Sequence, residues 1–256
     1  MHIASYYLRT LQTQLDLIGN NIANVNTPGF KEQLRSFEEM YDRQDRSWNN
    51  ALFGRPLSVN GGVAGPLYTG MRMNMASGTL VSTGSTLDAA ISGGGYFQVR
   101  LPGGELAYTR VGHFTIDQDR NLVTYDGLLL EPALRVPAGA QYVSIDVNGV
   151  ITAEVNNTTE TVGQISLAFF VNEQGMQQIG GGLFLETAES GAAMVNLPGV
   201  GGIGSLATGM LEMSNVDLGN NMVDMISVQR AYQIKSRSIR TQDEMLQTAI
   251  GMRAGQ

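Results

Sequence analysis

The chain has 256 residues and a mass of 27.5 kDa, enough for one large domain or two small ones. Cys is absent and His occurs twice, at His2 and His113, which excludes disulfides, thiolate metal sites and a Cys nucleophile and leaves little for a Ser-His-Asp triad. The net charge of −7 is uneven: residues 88–213 carry 13 acids and 4 bases, the remainder 10 and 12, and 136–229 hold no Lys or Arg, which argues against nucleic-acid binding and attachment to anionic membranes.

The first 25 residues read as one amphipathic helix. Ala4, Leu8, Leu11, Leu15, Ile18, Ile22 and Val25 alternate spacings of four and three, a coiled-coil type of seam. The helix is expected to end near Asn26, where Asn26-Thr27-Pro28-Gly29 supplies a turn. No run of 18 apolar residues predicts a membrane span, and the N-terminus lacks the pattern of a cleavable signal.

A connector over 31–86 follows. It is charge-rich at 31–46, rich in Gly, Ser and Thr at 52–85, and briefly alternating at 71–75. Trp48 within it is either an interface anchor or a packing contact.

From 87 to about 187 the period changes to two, within a central β domain expected over 87–197. Short strands are expected at 96–101, 106–110, 113–117, 122–125, 143–147, 165–171 and 183–187. Asp126-Gly127 and Asn148-Gly149 read as type I′ hairpin turns. His113 reads as an ordinary member of this domain, and Asp117 and Asp119 as a solvated turn. The Gly199–Gly204 run matches G-x-G-x-x-G literally but follows no buried parallel strand, so it is not expected to bind a dinucleotide. Asn156-Asn157-Thr158-Thr159 contains glycosylation sequons, with no sign of a glycosylating compartment.

A Gly-rich return connector, 198–213, leads to a C-terminal helix within 214–256. Ser214-Asn215-Val216-Asp217 has the spacing of a capping box. The predicted seam is Leu218, Met222, Met225, Gln229, Tyr232, Ser236, Ile239, Asp243, Leu246 and Ile250. Its polar members share one heptad position, where they either fix register or face water at the seam edge. The fold class is therefore α+β: coiled-coil-type helices at 1–30 and 214–256 that pair together, around a mostly antiparallel β domain. The alternative is that the helices form a hairpin packed on that domain. A lone amphipathic helix is marginal in water, so such ends suit assembly with other copies.

Residues 20–31, Asn-Asn-Ile-Ala-Asn-Val-Asn-Thr-Pro-Gly-Phe-Lys, resemble the N-terminal signature of bacterial flagellar rod and hook proteins. Residues 77–83 and 87–97 resemble that family's entry into its β domain. Residues 214–217, 222–226 and 229–233 resemble its C-terminal signature. The resemblance spans essentially the whole chain, in order. It implies a non-enzymatic subunit with no cofactor, which polymerises helically into a hollow shaft carrying torque from motor to hook. Length and a single β domain resemble the distal rod type, with a proximal rod or hook-type axial protein as the alternative. The implied partners are other copies, other rod proteins, the hook protein, the flagellar type III export apparatus and, in a Gram-negative envelope, a ring bushing. No nucleic acid or membrane insertion is implied. The implied location is the basal body outside the cytoplasmic membrane, in periplasm or cell wall, reached without a cleavable signal. The expected assembly residues are Leu8, Leu11, Leu15, Ile18, Asn20, Asn21, Ile22, Asn24, Val25, Met222, Met225, Tyr232, Ile239 and Leu246. From a different class, a secreted β-rich glycan-binding module also fits the composition. That reading requires exposed aromatics, yet aromatics are only 7%.

Overall fold

The computed structural model describes residues 2–38 and 67–254, with side chains at 8–34, 72–241 and 244–245. Trp48, residues 39–66 of the 31–86 connector and the Leu246 side chain lie outside the described residues.

The chain opens with helix α1 (His2–Ala23), then β1 (Gln33–Glu38), β2 (Leu67–Met73), β3 (Leu80–Ser82) and β4 (Ala89–Ser92). The central strands are β5 (Tyr96–Arg100), β6 (Leu106–Thr109), β7 (Phe114–Ile116), β8 (Leu122–Thr124), β9 (Leu129–Glu131), β10 (Ala140–Ile145), β11 (Val150–Val155) and β12 (Thr158–Gln164). They are followed by β13 (Leu167–Phe169), a 3-10 turn (Glu173–Gly175), β14 (Gln177–Gly180), β15 (Leu183–Leu185) and β16 (Met194–Asn196). The last elements are β17 (Ser205–Thr208), β18 (Met210–Glu212) and the long helix α2 (Leu218–Ala254).

Two compact units emerge. A β unit comprises Ala23–Glu32 and Asn74–Leu218. A helical unit draws on Met1–Ile22, Gln33–Met73 and Gly219–Gln256. Among the described residues every strand pair is antiparallel. The fold is α+β, as the change of period predicts.

Within the β unit a large sheet orders its strands β14-β15-β6-β5-β9-β8-β7, with β13 on β5 and β16 on β13. A second sheet is β10-β11-β12. Ile91, Phe97, Val99, Leu122, Leu130, Ile151, Ile165 and Leu167 fill one core. Burying such side chains supplies roughly 2 kcal/mol each before ordering costs. Phe97 and Phe114 meet edge to face in it, with ring centroids 5.1 Å apart.

Several local expectations change. Helix α1 stops at Ala23, three residues before Asn26, because the Asn24 carbonyl accepts from Thr27 N–H and closes a turn. The segments expected as connectors contain strands: β18 pairs with β3, and β17 with β4. Neither pair alternates cleanly in sequence; long-range backbone bonding makes them strands. The Asp126-Gly127 and Asn148-Gly149 turns are not type I′. Only their glycines have positive φ (80° and 77°), and Gly127 N–H and Gly149 N–H donate back to Thr124 and Asp146. These are type I turns closed by a bulge glycine. Two consecutive positive φ values occur at Asn156 (50°) and Asn157 (60°), which make the tight β11–β12 hairpin, and at Gly181 (61°) and Gly182 (72°) between β14 and β15.

The Gly199–Gly204 run is a packing loop. Gly204 N–H donates to Gly94 O, and a Cβ on Gly204 would fall 2.4 Å from Ser92 O, so backbone fills the space a phosphate would need. His113 holds Nδ1 2.7 Å from the buried Asp88 Oδ1 and is thus paired rather than isolated. Among the described residues no helix is long and apolar enough to cross a membrane, and no three His, Asp or Glu are placed to hold a metal.

Candidate functional site

In the helical unit, the α1 seam separates cleanly from solvent. Ile18 is buried, and Leu8, Leu11, Leu15 and Ile22 are half-buried; Leu17 joins them as a buried residue outside the predicted seam. Arg9, Gln12, Asp16 and Asn20 form the exposed stripe on the other side. The pattern follows from 3.6 residues per turn acting on a heptad sequence.

Asn21 is the exception that explains itself. It is buried in the seam, yet its side-chain amide donates to Gln33 O at 2.9 Å and accepts from Gln33 N–H at 3.0 Å. The same amide donates to Asn221 Oδ1 of α2 at 3.4 Å. The two helices therefore touch through a buried pair of asparagines 200 residues apart. A polar pair in an apolar seam costs stability but fixes register.

On α2 the buried face is shifted from the predicted one. Asn221 and Val228 are buried, and Met225, Tyr232 and Ile239 are half-buried. Met222 is half exposed, and Leu218 and Gln229 also face solvent. Asn221, a polar residue outside the predicted seam, is buried where it meets Asn21. Helix α2 begins at Leu218, so Ser214 is too early to be its N-cap; Ser214 Oγ instead accepts from Val216 N–H.

Outside both seams sits a cluster that sequence reasoning did not find. Where Asn24, Val25 and Thr27–Phe30 turn, Gly29 has φ +69° and its N–H donates to Glu212 O at 2.8 Å. A Cβ there would lie 2.6 Å from Val111 Cγ2, so both conformation and space call for glycine. The chain then delivers Lys31 into the β unit. Its Nζ donates to Glu212 Oε1 at 2.6 Å and to Ala76 O at 2.8 Å. From the other side Arg110 Nε donates to Glu212 Oε2 at 3.0 Å. The remaining Arg110 nitrogens reach Gly93 O, Gly95 O and Ser77 Oγ. Gly78 N–H also donates to Glu212 Oε1, at 2.9 Å.

The Lys31, Arg110 and Glu212 side chains are 1, 3 and 0% exposed. Two cations thus share one buried carboxylate. Burial pushes the Lys31 ammonium below its ordinary value, against the attraction of Glu212, while Arg110 pushes the same way as burial. Half-buried Glu173 adds a second negative charge nearby, and the Tyr96 ring faces Arg110 with Cζ 5.6 Å from its centroid. Burial also raises the Tyr96 phenol, so it stays protonated.

Asn215 completes the junction. Its Oδ1 accepts from Glu32 N–H at 2.7 Å, and its Nδ2 donates to Asn74 O and Ala76 O, each at 2.8 Å. Residues 29–32, 74–78 and 212–216 are therefore bound to one another inside the β unit. The N-terminal signature, the entry to the β domain and the C-terminal signature meet there.

Comparison with known proteins agrees with this layout. The family described as flagella basal body rod protein matches residues 8–31. That described as flagellar hook protein FlgE/F/G D1 domain matches 90–153, and flagellar basal body rod FlgEFG protein C-terminal matches 207–252. The flagellar basal-body rod protein FlgG of Caulobacter vibrioides is 40% identical over 252 residues, 95% of each chain. Its namesake in Bacillus subtilis is 39% identical over 96% of each. The flagellar hook protein FlgE of Escherichia coli is 24% identical, covering 96% of this chain and 98% of its own length.

Proposed function

This chain belongs to the flagellar basal-body rod protein family, and we propose that it serves there as the distal rod subunit, polymerising helically into the hollow shaft that carries torque from motor to hook. It is a structural subunit of the flagellar basal-body rod, not an enzyme. The observation that carries the distal reading is near-full-length likeness to FlgG relatives of matching length. The FlgE relative aligns over 409 residues, far beyond this chain's 256.

In this reading Leu8, Leu11, Leu15, Ile18, Ile22, Val25, Met222, Met225, Tyr232, Ile239 and Leu246 form the seams through which copies associate, with Asn20, Asn21 and Asn24 ordering the helix end. The α1 and α2 seams complete a coiled coil in the polymer. Partners are further copies, other rod proteins, the hook protein, the flagellar type III export apparatus and, around a Gram-negative cell, a ring bushing. The shaft stands outside the cytoplasmic membrane, and its subunits arrive without losing a signal peptide. The exposed apolar residues of α2 support this reading, because a finished monomer has no reason to keep them in water. Purified protein raised in concentration and examined by sedimentation and electron microscopy tests it. Tubes or filaments are the expected result; a monomer at every concentration overturns it.

A further inference from the structure

Helix α2 carries a second face that the α1 seam does not use. Val223, Ile226 and Ile234 are 63, 51 and 66% exposed. Arg230 and Arg237 are exposed among them, and the spacings of three and four along 223, 226, 230, 234 and 237 put all five on one side of the helix. Residues 225–242 hold four bases and no acid. Neither Arg230 nor Arg237 makes a salt bridge among the described residues. The stripe is apolar, interrupted by guanidinium groups.

The β unit carries a surface of the converse kind. Val171 is 80% exposed, and Met194 of the edge strand β16 is about half exposed. Phe169 pairs with Met194 across the β13–β16 ladder, which brings Val171 and 192–195 into one neighbourhood. Glu186 accepts from Ala193 N–H and Asn172 donates to Glu189 O, so both acidic residues border the same patch. They are exposed, and no Lys or Arg lies anywhere in 136–229. The patch is apolar, interrupted by carboxylates.

We propose that the Val223–Arg237 stripe of one copy docks on the Val171/Met194 patch of a second copy, with Arg230 and Arg237 facing Glu186 and Glu189. Apolar area holds the contact, and the charges choose its partner and register. The stripe and the patch are different surfaces, so the contact is head-to-tail: each copy offers one of each, and the chain of contacts stays open. This proposal rests on the rod reading and gives that reading a specific contact.

The chain has no cysteine of its own, so disulfide mapping is clean. Ile226→Cys and Met194→Cys, both at exposed positions, are polymerised as a mixture and oxidised. The expected product is a cross-linked species of twice the chain mass, seen in the mixture and absent when either variant polymerises alone. Polymers that form without that species, or that cross-link like with like, overturn the docking and leave the rod reading standing. Wild-type protein that never polymerises overturns the rod reading itself, and this contact with it. As an independent readout, Arg237→Glu raises the concentration needed for polymerisation several-fold, and Glu189→Arg in a mixed polymer lowers it again. An Arg237→Glu chain that polymerises like wild type counts against the contact.

Discussion

The β unit and the helical unit treat charge and apolar surface in opposite ways. The first takes Lys31, Arg110 and Glu212 out of water and satisfies them with carbonyls, a hydroxyl and an amide N–H. The second leaves Met222, Val223, Ile226, Ile234 and Met245 half or more exposed. A unit that can bury two cations has a core strong enough to bear their desolvation, which costs several kcal/mol per ion. A pair of helices that leaves such side chains in water has not finished burying its surface. Local self-sufficiency and dependence on neighbours thus coexist in one chain, and each can be broken separately.

The largest effect is expected at Glu212. Glu212→Gln leaves Lys31 and Arg110 buried with no anion between them, and the β unit should lose about 3–5 kcal/mol, read from urea unfolding. A loss below about 1 kcal/mol means that the junction is wet. Lys31→Met should cost less, on the order of 1 kcal/mol. It leaves Arg110 and Glu212 as a balanced pair, and only the hydrogen bonds to Glu212 and Ala76 O go unmade. A loss as large as that of Glu212→Gln would show that charge balance does not govern the site.

The pH dependence of Lys31 follows from the direction of its shift. Folding lowers its pKa below 10.5, so between the folded and unfolded values the unfolded chain binds more protons and stability rises with pH. The handicap of burying the ammonium is present at neutral pH and is relieved as pH approaches 10.5. The stability of wild type relative to Lys31→Met should therefore improve on that approach; a difference that stays flat or falls contradicts the assignment.

The smallest effect on the β unit is expected from the helices. Leu15→Arg sits half-buried in the α1 seam, and should shift the melting of the β unit by no more than a few degrees while abolishing polymerisation. Gln12→Arg, on the exposed stripe, should do neither. Global unfolding of the Leu15→Arg monomer would mean that the helical unit is as self-sufficient as the β unit.

How much of this was legible in the sequence depends on distance along the chain. Helix α1 was readable because its pattern is local: seven apolar residues at fixed spacing. The antiparallel β character was readable from alternation and from turns, though Asn156-Asn157 and Gly181-Gly182 rather than the Asx-Gly dipeptides make the two-residue hairpins. The junction was not readable. Glu212 lies 181 residues from Lys31 and 102 from Arg110, and each in its own segment looks like a surface charge. The face that α2 buries within the single chain was not readable for the same reason, since Asn221 is buried where it meets Asn21 from the other end of the chain. Periodicity reports which residues prefer to be dry; it does not report a polar residue whose partner folds in from the other end.

The central claim is that the β unit is complete in the single chain whereas the helices are completed by other copies. Amide hydrogen exchange on monomer and polymer tests it most directly. The account predicts that amides of β5, β6, β11 and β13 are protected equally in both, and that amides of 8–22 and 218–239 exchange fast in the monomer and become protected on polymerisation. Helices already as protected in the monomer as in the polymer would contradict it.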